Sequence, residues 1–183
     1  PLRADVVLRR DAVIRERRAH DRRSGGAGAV ADGARRAGTP AAALLAADGC
    51  AIALLDPDEA AREPGRELTL AVVIGDREGD LQGMRIPLHG SFLGQAILTG
   101  GPVTSLDATA DGRGYAPAIR RAHNAMLSLP LRTSERTVGA VNIFGRPGRP
   151  FGDRDVAIMT LFAQQAAVAI ENARLYEGAQ ERL

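Results

Sequence analysis

A chain of 183 residues is long enough to bury a core without disulfide staples and fits one domain with an appended segment. No stretch nears the roughly 18 uninterrupted apolar residues of a membrane span. The basic N-terminus never opens into an apolar run, so no signal peptide is read, and the expectation is a soluble, cytoplasmic protein. A single cysteine, Cys50, excludes an intrachain disulfide framework and a cysteine-only metal site. A net charge of +2, 3% aromatic residues and no tryptophan argue against nucleic acid as a partner of the whole chain.

Charge is nevertheless uneven. Residues 1–23 hold eight arginines against four acids, which makes +4 and leaves about −2 for the rest of the chain. Residues 1–26 read as a basic helical lead-in or linker, with Leu2, Val6, Val7, Val13 and Ile14 at helix-like spacing, closed by a flexible joint at Ser24-Gly25-Gly26. Residues 27–183 form the expected domain.

Thr39-Pro40 followed by Ala41–Ala47 predicts a capped helix. The apolar run Cys50–Leu55 and the alternating run Glu67–Ile74 predict two strands of an antiparallel hairpin joined by a turn over 58–66. Residues 84–88 predict a short extended piece outside any central ladder, because Pro87 has no N–H to give. Ser91 then caps a helix that Gly100-Gly101 ends. A short strand at 102–105, a polar loop at 107–115 and a short helix at 116–122 follow. Strands at 125–132 and 137–144 are joined at 133–136, and one long helix begins at Asp153. On that helix Met159, Phe162, Ala166, Ala169, Ala173 and Tyr176 form one stripe, with Ile158, Leu161, Val168 and Leu175 beside it. One stripe covers the domain's own sheet, and the other predicts a homodimer through the terminal helices.

Five segments in this order resemble the GAF family of sensor domains. They are Gly90–Asp107, Met126–Leu131 (MLSLPL), Val138–Phe144 (VGAVNIF), Pro150–Asp155 (PFGDRD) and Phe162–Glu177 (FAQQAAVAIENARLYE). The resemblance implies an α+β fold: a central antiparallel sheet with the N- and C-terminal helices on one face, and short helices and loops roofing a pocket on the other. It also implies a regulatory sensor in a signal-transduction protein, with an output unit elsewhere in a longer parent chain. Candidate ligand-binding residues under that roof are Phe92, Asp107, Tyr115, Ile119, Met126, Ser128 and Asn142, with Ile86 and Leu106 as further apolar lining. Met126 and Ser128 share one face of their strand, but Leu127 and Leu129 are apolar too, so alternation alone does not choose the roofed face.

Departures from the family narrow the ligand. At the positions of the cyclic-nucleotide signature stand Gly145, Arg146, Phe151, Asp155 and Val156, two matches of five, which argues against that ligand. Covalent bilin attachment needs a roof cysteine, and Cys50 lies on the first strand. The methionine sulfoxide reductases of the family need a second cysteine to resolve a disulfide, so no enzymatic role and no catalytic residue is assigned. Haem-binding members use a histidine near the position of His123, which leaves a haem-based gas or redox sensor as an alternative. A ligand-free dimerisation and signal-relay module is the other. His20 and His89 stand isolated, and no metal site is nominated.

Overall fold

A computed structural model describes residues 30–36, 45, 47–56, 67–75, 81–119 and 125–180. The basic N-terminal segment, most of the helix expected over 41–47, the turn at 58–66 and His123 lie outside the described residues.

Six strands form one sheet in the order β3-β2-β1-β6-β5-β4. They are β1 Gly49–Leu54, β2 Glu67–Ile74, β3 Arg85–Pro87, β4 Val103–Ser105, β5 Met126–Arg132 and β6 Thr137–Phe144. Every pairing is antiparallel, and the expected β1–β2 and β5–β6 hairpins are both present. Pro87 sits on the edge strand, opposite Glu67, where its missing N–H breaks no inner ladder.

β1 is buried along its whole length, which explains its unbroken apolar sequence: a central strand covered on both faces has no polar side to show. Cys50, Ile52 and Leu54 enter one hydrophobic layer, and Ala51 and Ala53 enter the other. The first layer lies against α3, Asp153–Gln180. There Leu127, Leu129, Leu131, Val141 and Ile143 pack with Met159, Ala163, Ala166, Ala167 and Ile170. A helical stretch at 30–36, which the sequence pattern did not mark, adds Val30 and Ala34 to this layer. The Val30 N–H donates to the Glu177 carboxylate, 3.1 Å away, so N- and C-terminal helices share one sheet face.

The inward face of α3 differs from the stripe read in the sequence. Met159 and Ala166 are buried as expected, but Ala169 is exposed and Tyr176 is 75% exposed, while Ala163, Ala167 and Ile170 are buried instead. The sheet-facing stripe runs 159, 163, 166, 170, following the straight-helix period of 3.6. Leu161, Val168 and Leu175 point outward, 66%, 48% and 63% exposed. Asp153 and Asp155 occupy the first turn, where the helix dipole favours acids, and Asp155 accepts from the Gly152 N–H at 3.0 Å. By length and composition Asp153–Glu177 would reach across a bilayer, but its apolar inner face is packed on the sheet.

The opposite sheet face is roofed by α1, Phe92–Thr99, and α2, Ala116–Ile119, with the loop between β4 and α2. Ser91 caps α1 as its sequence predicts, accepting from the Gly94 N–H at 3.1 Å, and Gly100 ends it in the left-handed conformation, φ 68°. Gly94 is obligatory for a different reason: a Cβ there would overlap the Leu88 carbonyl, so α1 lies directly on the chain leaving β3.

Candidate functional site

Between sheet and roof lies a partly open cleft with a cavity volume of about 30 Å³. That is room for about two water molecules. Its floor is Ala51 of β1, Leu70 of β2, Ile86 of β3, Met126 of β5, and Asn142 and Phe144 of β6. The roof contributes Leu81, then Ser91, Phe92 and Leu93 at the start of α1, then Tyr115, Ala118 and Ile119 around α2. Five of the seven candidates from the sequence, Phe92, Tyr115, Ile119, Met126 and Asn142, therefore meet in one place.

Packing settles the face of β5. Leu127 and Leu129 join the α3 layer, and Met126 packs with Phe92, Ala96, Val103, Ala108 and Ile119 under the roof. Ser128 shares the Met126 face but does not reach the cleft. It is fully buried opposite Asn142, to whose Oδ1 its hydroxyl donates. Asp107 does not line the cleft either. Its Oδ1 accepts from the Thr109 N–H at 2.9 Å, the Ala110 N–H at 3.3 Å and the Thr109 hydroxyl, so the carboxylate builds the turn that starts the roof loop. Leu106 is 61% exposed and belongs to the outer surface. Ile86 is buried in the floor as expected. Leu70, Leu93 and Phe144 were missed because each sits in a run whose pattern reads as ordinary core, and Leu81 because it stands alone in the polar stretch between β2 and β3.

The roof loop closes by contact rather than by length. Gly114 carries no side chain where an added Cβ would stand 2.6 Å from Ile119 Cδ1 and 2.7 Å from Phe92 Cε2. Beside it, the Arg113 guanidinium lies 5.4 Å from the centre of the Phe92 ring, a cation–π distance. It also pairs with Asp111 and donates to the Thr104 carbonyl at 2.9 Å. The hydrogen bond from Arg113 is the main cause that lowers the Asp111 carboxyl to about 2. This clasp rests on a ring that also lines the cleft.

Cys50 belongs to the α3 layer, and burial pushes its thiol up to about 11, which keeps it protonated and a poor nucleophile at neutral pH. Among the described residues no group of three or more His, Cys, Asp or Glu could hold a metal ion. The described histidine, His89, is exposed and outside the cleft, so the described residues bring no axial histidine to it.

An antiparallel sheet with two terminal helices on one face and a cleft under short roof pieces on the other defines a class of small α+β domain. The chain belongs to the GAF domain family, which matches residues 29–171. Among solved structures it is similar to the GAF-B domain of DevS from Mycobacterium smegmatis, at 29% identity and TM-score 0.64, covering 84% of this chain and 98% of that one. A GAF domain/HD domain protein from Geobacter sulfurreducens shares the fold at 16% identity and TM-score 0.67, covering 83% and 97%. So does the free methionine-R-sulfoxide reductase from Neisseria meningitidis, at 22% identity and TM-score 0.61, covering 82% and 87%. No curated protein matches the chain.

Proposed function

We propose that this chain, like the sensory or regulatory domains typical of its family, is a cytoplasmic sensor, which takes a small molecule into the cleft and relays its presence through α3 to a second copy of itself. The observation that carries this reading is the junction of a preformed cleft with a thin, separately clasped roof. Loops and short helices on a rigid sheet are where ligands are admitted. Gly114 and the Arg113–Asp111 pair hold the roof down by a few contacts, so a ligand that lifts it shifts a balance between two arrangements. The outward seam on α3 supports the relay: Leu161, Val168 and Leu175 recur every seven residues, with Gln165 and Asn172 between them, the heptad of a two-helix seam.

The small free volume favours a second reading, a ligand-free dimerisation and relay module whose roof stays shut. Thermal-shift screening of a metabolite collection separates the two when run on the native chain and on Ala118→Trp, which fills the cleft. The sensor reading expects compounds that stabilise the native chain and leave the variant unmoved. Compounds that act equally on both, or none at all, leave the relay module.

A further inference from the structure

The cleft has a chemical character beyond its location. β5 and β6 meet on the roofed face at Ser128 and Asn142, directly opposite each other, on a floor that is otherwise alanine, leucine, isoleucine, methionine and phenylalanine. Burying polar groups there costs free energy unless they are bonded. The Ser128 hydroxyl donates to Asn142 Oδ1, which satisfies that pair but leaves the two N–H donors of the Asn142 amide. Ser128 is sealed beneath, while Asn142 lines the cleft, so the group the floor offers a ligand is an amide donor; the polar group of the roof is the Tyr115 hydroxyl. Ser91 offers nothing comparable, because its hydroxyl donates to the Pro87 carbonyl and accepts from Gly94 to cap α1.

Charge is the other half of the argument. Among the described residues no Arg, His, Asp or Glu side chain lines the cleft. Arg113 is clasped to Asp111 over the Phe92 ring. Against the described lining, a carboxylate, phosphate or ammonium brought inside would lose water and meet no opposite charge, which disfavours its entry.

We infer that the cleft selects an uncharged, largely apolar ligand bearing one hydrogen-bond acceptor, such as a carbonyl or ether oxygen, received by the Asn142 amide. This rests on the cleft being the ligand site. The test uses four probes built on one five-membered ring: cyclopentanone, cyclopentane, cyclopentanecarboxylate and cyclopentylammonium. Each is titrated into the full chain while NMR follows the Asn142 side-chain amide and the signals of Ile86, Ala118 and Met126.

The expected result is that cyclopentanone binds about tenfold more tightly than cyclopentane, the worth of one hydrogen bond, and shifts the Asn142 amide. The charged pair should leave these signals unmoved. In Asn142→Leu/Ser128→Ala, which removes both polar partners together and so strands neither, ketone and hydrocarbon should bind alike. If that double variant fails to fold, Asn142→Asp at neutral pH replaces the donors with an acceptor and should abolish the preference for the ketone. A charged probe that perturbs the same residues as strongly overturns the ligand class and leaves the cleft as the site. No perturbation there by any of the four overturns both.

Discussion

The Arg174 guanidinium donates to the carbonyl of Leu55, 2.7 Å away and 119 positions earlier in the chain. The same Leu55 donates its N–H to Val138 of β6 at 3.0 Å, so the end of the central strand is held from both sides. α3 is thereby tied to the strand that carries Ala51 into the cleft floor. A second tie joins Glu171 of α3 to Arg136 in the β5–β6 turn, at 2.6 Å.

Replacing Arg174 with methionine keeps much of the packing of its stem but leaves the Leu55 carbonyl without this donor. The expected loss is about 1–3 kcal/mol of stability, the cost of stranding a partly buried acceptor. Urea unfolding should show a lower midpoint with an unchanged slope. A midpoint equal to that of the native chain would mean that water replaces the guanidinium freely.

Gly114→Ala should lift the roof loop. The added methyl meets Ile119 and Phe92 at distances that require something to shift, and overpacking of this kind costs about 1–3 kcal/mol. Hydrogen exchange should accelerate over residues 107–119 and stay slow in β1 and β6. Uniform acceleration across the sheet would place the damage in the global fold instead.

Acid should loosen the clasp before it unfolds the domain. Asp111 has a folded-state pKa lowered from 3.8 to about 2, first by its hydrogen bond from Arg113. A depressed carboxyl contributes its stabilisation fully above its unfolded value and loses it as pH falls towards the folded one. The window is therefore about pH 4 down to pH 2. Carboxyl NMR should find the Asp111 midpoint near the bottom of this range and, in Arg113→Met, close to the ordinary aspartate value.

The seam on α3 makes a prediction about assembly. Light scattering should find two copies together at micromolar concentration, and Val168→Glu/Leu175→Glu should find one. Both side chains are outside the sheet contact, so the monomeric variant should keep the thermal midpoint of the isolated fold. A native chain that scatters as a monomer would remove the relay from the proposed function.

Apart from the helical stretch at 30–36, the described elements were readable residue by residue. Ser91, Gly100, Pro87 and Asp153 act through local backbone chemistry, a cap, a left-handed stop, a missing donor and a dipole, and each does in the fold what its sequence position announces. Sidedness was not readable in the same way. β5 carries apolar residues at 126, 127, 129 and 131, and a strand covered on both faces erases the alternation that would tell them apart. Only the seating of α3 on Leu127, Leu129 and Leu131 decided that Met126 and Ser128 look towards the roof.

Two β-bulges compounded the problem. Val138 enters the same layer as Val141 although three positions separate them, because the β5–β6 register shifts between Leu131 and Arg132. A similar shift between β1 and β2 sends Val72 to the α3 layer and Val73 to the roof side. One extra residue reverses every inward position beyond it, and nothing in the side chains announces where it falls. Asp107 shows the same boundary from the polar side. Its residue type fits a ligand handle and a turn equally well, and the choice between them lay with the neighbouring N–H groups of Thr109 and Ala110, which only the folded loop brings to it.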